Sequence, residues 1–401
     1  MLDLNWIRKN PDKLDKNLFD RGMITKSKEI LNIDKKWRNL IGELNSVRQQ
    51  SKVAAKNRDI EEGKRLKAKA QELEKLEQLA NKELYNILSE LPNIISSDTP
   101  LGKSDHENVE IKKWGVPKQK KLTHDLVMNE MDLWHNSADL SGARFAMMSG
   151  ILSKLERSIA NWMLDFNTQN GFKEISVPFI AKESALYNSG QLPKFKEDLF
   201  MLQDKALIPT GEVPLINIAS NQILKLDTLP IRMTTLSHCF RKEAGSAGKD
   251  TKGLIRLHQF QKVELVSITD KDASDTEHMN MLRHAESILQ ILNLPYRIVE
   301  ICSGDIGFTA HKQFDIEVWM AGAGKYVEIA SCSNCRDFQA RRMNARYVKD
   351  GEKHFVHTLN CSALAIGRTL ASILENYYDD ENNILHIPNV LQSYVGMEEY
   401  K

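Results

Sequence analysis

Between Cys239 and Val266 the chain reads CFRKEAGSAGKDTKGLIRLHQFQKVELV, and three kinds of side chain there could do chemistry. Arginine offers a cation to phosphate, phenylalanine a ring to a base, and glutamate a carboxylate to an ammonium or hydroxyl group. Two apolar-bearing runs flank a centre, Gly245 to Gly253, rich in Gly, Ser, Lys, Asp and Thr. That pattern predicts a strand, a long polar loop and a returning strand. Alternation then puts Cys239, Arg241 and Glu243 on one face of the first strand. On the second, Arg256, His258, Phe260, Lys262 and Glu264 share a face, and Leu257, Val263 and Leu265 point the other way. At about 3.3 Å per residue, Arg256 to Phe260 and Phe260 to Glu264 each span roughly 13 Å. The same alternation also describes a surface sheet with one wet face, and on this stretch alone neither reading wins.

Upstream, Leu207-Ile-Pro-Thr-Gly-Glu-Val-Pro214 is an apolar run interrupted by Thr210, Gly211 and Glu212, which predicts a strand edge offering polar groups to a ligand. Cys332-Ser-Asn-Cys335 is a single CxxC with no second pair at zinc-finger spacing, so two reduced, partly buried thiols are expected rather than a metal site. Neither GxxxxGK[ST] nor GxGxxG after a strand occurs, which excludes the usual phosphate loops. Five cysteines, an odd number, fit a reducing cytoplasm. Residues 1–20 hold no long apolar core, so no secretory signal is expected, and no apolar run is long enough for a membrane span. A formal net charge of +1 gives no global pull towards nucleic acid, so any such surface must be local.

These residues need elements to position them, and 401 residues allow two domains. A short helical lead-in over 1–26, with Asn10-Pro11 as a helix start, precedes a heptad seam of Ile33, Trp37, Leu40, Leu44, Val47, Ser51 and Ala54. After Asn57–Gly63, read as a Gly-containing turn, a second seam runs Leu66, Ala70, Leu73, Glu77, Ala80, Leu84, Ile87 and Leu91. Glu77 interrupts it, with Leu76 expected to compensate. The two make an antiparallel hairpin of helices roughly 35–40 Å long. Between Arg48 and Lys69 eight basic residues face three acidic ones, a solvated surface or an arm for phosphate backbone. Residues 93–115 read as a linker. Beyond it come a helix over 153–170, a strand over 172–178, strands over 231–235, 296–301, 314–320 and 326–331, and helices over 277–292 and 364–378. Several strands with few crossover helices predict an α+β fold with a mostly antiparallel sheet.

The helix and strand ending at Pro178, the strand-loop-strand of 239–266, and the strand-into-helix ending Gly367-Arg368 follow the order of the three motifs of class II aminoacyl-tRNA synthetases. With the hairpin in front, the chain closely resembles the bacterial-type seryl-tRNA synthetase family. Gly190-Gln-Leu-Pro-Lys-Phe195, Phe240-Arg241 through His258-Gln-Phe260, Gly304-Asp-Ile-Gly-Phe308, Asp337-Phe-Gln-Ala-Arg-Arg342 and His357-Thr-Leu-Asn360 carry the resemblance over essentially the whole chain.

The resemblance implies an N-terminal tRNA-binding domain over 1–100, with its coiled-coil arm at about 27–92, and a class II catalytic domain over 101–401. It implies a cytoplasmic homodimer with Pro178 at the interface, and a serine–tRNA ligase using ATP and Mg²⁺. Arg241, Lys242, Glu243, Phe260, Glu328, Ile329, Ala330, Ser331 and Arg368 would hold ATP, with Arg256 directed at its outer phosphates. Glu328 and Ser331 would meet Mg²⁺, and Thr210, Gly211, Glu212, Glu264 and Ser362 would hold L-serine. Catalysis would fall to positioning and charge neutralisation by Arg241, Arg256 and Arg368. The tRNA partner would be tRNA(Ser), with tRNA(Sec) as a second candidate, and the polar loop would lie over ATP and the incoming tRNA end. His258, His311 and His357 are expected to be structural.

The chain departs from the family pattern in three places. Cys361 stands where the family usually has glycine; if that position needs a positive φ, a Cβ costs on the order of 1 kcal/mol and narrows the serine site. Gly211 replaces a small non-glycine residue, which is expected to loosen that edge. The arm is shorter than in familiar bacterial members. Two other classes compete: a synthetase-like ligase loading a carrier protein, which would lack the long arm, and a non-catalytic tRNA-binding paralogue, which would not need Arg241, Glu243, Glu264, Glu328 and Arg368.

Overall fold

A computed structural model describes residues 1–244 and 252–401. The expectation that the polar loop covers ATP and a tRNA end falls mainly on 245–251, outside the described residues. The chain divides into two compact units, Met1–Ile94 and Ile95–Lys401.

In the first unit, Asp3 caps α1 (Leu4–Lys9) by accepting from the Asn5 N–H at 2.7 Å, and Pro11 opens α2 (Pro11–Asp20), where its missing N–H costs nothing. Two long helices follow, α3 (Ser27–Lys56) and α4 (Ile60–Ser89). Each has 30 residues, so each runs about 45 Å, longer than the seam alone implied. The start of α3 is tied down by Asp15, which accepts from the Ser27 N–H and Oγ at 3.0 and 2.6 Å. Leu44, Val47 and Ala54 of α3 pack with Leu66 and Leu73 of α4, as the heptad spacing demands. Two details differ from expectation. Gly63 lies inside α4, and the turn closes at Asp59, whose side chain accepts from the Glu62 N–H at 3.0 Å. Leu76 is 42% exposed and compensates for nothing; Glu77 is accommodated because Trp37 Nε1 donates to it at 2.7 Å. All eight basic residues of the distal half are exposed, with Arg48 paired to Glu74 and Arg65 to Glu62.

The second unit opens on β1 (Val109–Trp114), then α5 (His124–Glu130), α6 (Ala138–Ser141) and α7 (Gly150–Gln169). Next come β2 (Lys173–Glu174), β3 (Ile180–Lys182), α8 (Glu183–Ser189), β4 (Met201–Leu202), β5 (Lys205–Leu207), α9 (Glu212–Asn217) and β6 (Ile223–Lys225). The long hairpin β7 (Ile231–Phe240) and β8 (Gln259–Thr269) leads into α10 (Ser274–Ile291), β9 (Tyr296–Glu300), β10 (Lys312–Met320) and β11 (Lys325–Asn334). The chain finishes with α11 (Phe338–Met343), β12 (Arg346–Lys349), β13 (Glu352–Phe355), β14 (His357–Ala365), α12 (Ile366–Tyr377), β15 (Tyr378–Asp379), β16 (Ile384–His386), α13 (Asn389–Val395) and β17 (Glu399–Tyr400).

Among the described residues, eight strands form the main sheet in the order β1-β9-β10-β11-β14-β8-β7-β2. Every neighbouring pair is antiparallel except β2 with β7. The sequence misread both edges. Residues 109–114 are an edge strand rather than linker; Glu110, Lys112 and Lys113 make it look solvated, which is how an exposed edge avoids further pairing. At the other edge only Lys173–Glu174 pair, not the whole of 172–178. Beneath the sheet, Leu155 and Ile159 of α7, Met281 and Ile288 of α10, and Leu370 and Ile373 of α12 meet Val263, Leu265, Ile316 and Val318. Each such side chain fully removed from water contributes about 1.5–3 kcal/mol, so the helices hold one face of the sheet firmly. On the other face Met233, Val266 and Ile268 pack against Leu215, Ile216, Met343 and Tyr347, and the polar groups gather beside that second core. No helix among the described residues is long and apolar enough to cross a membrane.

Candidate active site

The polar face of β8, β11 and β14 floors a cavity of about 220 Å³. Along β8, Phe260, Lys262 and Glu264 line it while Val263 and Leu265 enter the core beneath, the alternation expected of a two-faced strand. Glu264 stands opposite Ser362 of β14 and Thr235 of β7. Glu328 and Ser331 of β11 both line the cavity although they are three residues apart, which strict alternation forbids. The β10–β11 register slips between Ile316 and Glu317: Ala330 faces Ile316, Glu328 faces Glu317, and Ile329 is the extra residue. That bulge returns Glu328 and Ser331 to one face.

One end of the cavity is a set of buried carboxylates. Thr210 Oγ1 donates to Glu264 Oε2 at 2.8 Å, and the Lys262 ammonium pairs with the same carboxylate. Glu212 begins α9 and accepts from Gln339 Nε2 at 2.6 Å and Asn360 Nδ2 at 3.0 Å. Burial, and after it the Glu264 charge, raise the Glu212 pKa to about 7 against the opposing pull of Gln339, Lys262 and Arg241. Gly211 belongs here through its backbone rather than through the cavity lining. A Cβ on it would stand 2.7 Å from Thr235 Cγ2 and 3.1 Å from Ser237 Oγ, so glycine lets α9 start tight against β7 instead of loosening that edge.

The other end is cationic and aromatic. The Arg241 guanidinium lies 5.3 Å from the Phe260 ring centroid, and its Nε donates to the Pro209 carbonyl at 3.2 Å. Arg256 Nη1 donates to Glu243 at 2.6 Å. Arg368, on the first turn of α12, donates from Nη1 to the Glu328 carbonyl at 2.5 Å and from Nε to the Ile255 carbonyl at 3.1 Å. Three arginines thus line this end of the cavity, with Arg241 against its aromatic ring.

Most of the residues singled out in the sequence meet in this one cavity: Thr210, Glu212, Arg241, Glu243, Arg256, Phe260, Glu264, Glu328, Ile329, Ser331, Ser362 and Arg368. Lys242 and Ala330 do not. Lys242 is exposed with its ammonium 5.8 Å from the Phe200 ring, and Ala330 is buried in the core. The strands are also shorter than expected, since β7 ends at Phe240 and β8 starts at Gln259. Arg241, Glu243 and Arg256 therefore sit in the connection, and Glu243 takes a left-handed φ of +53°. The run at 207–214 is a strand followed by a helix rather than a strand edge. Cys361 has no positive φ; it lies on the apolar face opposite Cys332, so its side chain does not narrow the cavity. All five cysteines are free and buried. His357 bonds Ser274 Oγ at 2.8 Å, and burial holds its pKa down at about 4. Lys262 lines the cavity on the face that alternation gave it, while sequence reasoning gave no role to the lining residues Asn360 and Gln191, nor to Gln339 behind them. Only the position of Asn360 two residues before Ser362 on a strand signalled any of these.

A model for the seryl-tRNA synthetase N-terminal domain matches residues 1–95, and one for the tRNA synthetase class II core domain (G, H, P, S and T) matches residues 195–377. The chain is 45% identical to the serine–tRNA ligase of Brucella canis, the alignment covering 99% of this chain and 98% of the relative. It belongs to the seryl-tRNA synthetase family. The crystal structure of the seryl-tRNA synthetase from Pyrococcus horikoshii complexed with ATP superposes with a TM-score of 0.93 at 34% identity, over 100% of this chain and 99% of that one. The cytoplasmic serine–tRNA ligase from Naegleria fowleri in complex with AMP gives 0.90 at 30% identity, over 100% and 99%. The sheet and arm described above are accordingly the class II synthetase core and N-terminal helical arm of the family.

Proposed function

We propose that the cavity activates L-serine with ATP and then passes the seryl group to the 3′ end of tRNA(Ser). The observation that carries this is the division of one cavity into a carboxylate end and an arginine-and-ring end, floored by adjacent strands. Adenine stacks on Phe260, the α-phosphate meets Arg241, and Arg256 turns from Glu243 towards the outer phosphates. Arg368 closes the nucleotide site from α12. At the other end, Glu212 takes the serine ammonium group, while Glu264, Thr210 and Ser362 meet its hydroxyl. A serine carboxylate oxygen attacks the α-phosphorus, the bond to the bridging oxygen breaks, and pyrophosphate leaves. The tRNA 3′-terminal hydroxyl then attacks the seryl carbonyl and AMP departs. No side chain need act as nucleophile; positioning and charge neutralisation carry the rate.

Glu328 and Ser331 fit a Mg²⁺ ion carried mainly by phosphate oxygens. Among the described residues no three His, Cys, Asp or Glu side chains form a metal cage, and Mg²⁺ commonly uses one or two carboxylates plus phosphates. Such an ion supplies neutralisation of phosphate charge. The exposed basic half of the helical arm serves the tRNA backbone, of tRNA(Ser) and in the same manner of tRNA(Sec). The exposed run Pro178, Phe179 and Ile180 supports a homodimer contact at that edge. Serine-dependent ATP–pyrophosphate exchange tests the activation step, run with serine, threonine, alanine and glycine; no exchange by folded protein with Mg²⁺ refutes it.

A further inference from the structure

Gln339 lies outside the cavity lining, is fully buried on α11, and reaches one carboxylate of the cavity while two further bonds hold its own amide. Its Nε2 donates to Glu212 Oε1 at 2.6 Å and to the Ser189 carbonyl at 3.0 Å. Its Oε1 accepts from Thr358 Oγ1 at 2.5 Å. The Ser189 carbonyl fixes the orientation of the amide: a carbonyl oxygen only accepts, so the side facing it and Glu212 must be the NH₂ group, and the Thr358 hydroxyl then donates to the amide oxygen. Asn360 Nδ2 adds a second donor to the same Oε1, at 3.0 Å. Glu212 Oε2 receives no donor among the described residues, so the carboxylate is held by one oxygen and presents the other.

We infer that Gln339 is a positioning residue for amino-acid activation, which orients Glu212 and keeps it an anion for the substrate's ammonium group. The inference rests on the assignment of Glu212 to that group. Glu212 needs the support. The Glu264 carboxylate faces it from β8, Lys262 from the same strand and Arg241 from the β7–β8 connection oppose that repulsion, and the Cys335 thiol lies near. Burial and Glu264 raise its pKa to about 7, and the Gln339 amide pulls the other way. An uncharged, non-donating side chain at 339 removes that pull, so the carboxyl takes up a proton at a higher pH than before. The substrate ammonium then meets a neutral acid.

The test compares Gln339→Leu, Thr358→Val and Glu212→Gln in serine-dependent ATP–pyrophosphate exchange across about pH 6 to 9, with thermal unfolding as a check on folding. Gln339→Leu is expected to raise the serine KM roughly 10- to 100-fold near neutral pH, because a hydrogen bond to a charged group is lost. The loss should shrink as pH rises, with the profile displaced upward from wild type, while the ATP KM stays within about twofold. Thr358→Val, which releases the amide without removing it, is expected to shift the same profile by less, and it decides the matter if Gln339→Leu does not fold. A serine KM that is unchanged, or raised equally at every pH, in a background where Glu212→Gln raises it, overturns the role of Gln339. An unaltered serine KM in Glu212→Gln overturns the ammonium assignment and this inference with it.

Discussion

Glu264→Gln separates reading of the serine hydroxyl from mere support of the cavity. The carboxylate is 2% exposed, accepts from Thr210 at 2.8 Å, and pairs with a Lys262 side chain that is itself only 10% exposed. Glutamine keeps the shape but removes the charge and one acceptor oxygen. A hydrogen bond to a charged, buried group is worth about 1.5–3 kcal/mol, so serine kcat/KM in ATP–pyrophosphate exchange should fall roughly 10- to 150-fold. Alanine has no hydroxyl to lose, so its kcat/KM should fall far less. The preference for serine over alanine is therefore expected to drop by roughly 10-fold or more. The measurement is kcat/KM for both amino acids on the same preparation, with thermal unfolding to show an intact fold. Equal falls for serine and alanine would refute the hydroxyl assignment and leave Glu264 as a partner of Lys262 alone.

Removing residues 33–91 is expected to leave exchange largely intact and abolish tRNA charging; equal charging by the shortened chain would rule out the arm's role. Cys361→Gly should leave the serine KM within about twofold, because Cys361 packs on the apolar face, while lowering stability by about 1–2 kcal/mol in denaturant unfolding. Arg232 forks onto Glu277 at 2.7 and 2.6 Å. Burial works to raise the Glu277 pKa, but hydrogen bonds from Arg232 and Ser267 hold it below the ordinary carboxylate value. A depressed folded-state pKa means stability that is present above the unfolded pKa and lost as pH falls through the folded one. Arg232→Leu should thus cost about 2–3 kcal/mol at neutral pH, discounted because Arg232 is 35% exposed, and progressively less as the pH drops below the carboxylate range. A cost that does not change with pH would show that packing, not charge, holds this cluster.

Local patterns were legible wherever one period governed a stretch. The heptads of α3 and α4 placed Leu44, Val47, Leu66 and Leu73 in the arm's seam, and alternation along β8 put Phe260, Lys262 and Glu264 on one face and Val263 and Leu265 on the other. The serine–tRNA ligase resemblance followed from long motifs in order, and it is the family to which the chain belongs. The edge at 109–114 escaped because it is solvated and a bulge between Glu110 and Lys112 breaks its alternation, and the edge at 172–178 was read too long because only two of its residues pair.

What only the tertiary structure decided involves departures from a period or contacts across long sequence separations. A bulge at Ile329 brings Glu328 and Ser331 to one face, which strand spacing alone denies. Cys361 and Ser362 point to opposite faces of β14, so a residue beside the cavity in sequence lies beneath its floor in space. Gln339 reaches Glu212 across 127 positions of chain, from a helix whose sequence shows only an amide between apolar neighbours. The sequence by itself determined which side chains carry charge, rings and hydroxyls, and which strand faces present them, because those follow from residue type and local geometry. Which of them converge, and which hold the others in place, depended on how strands from three separate stretches register against one another.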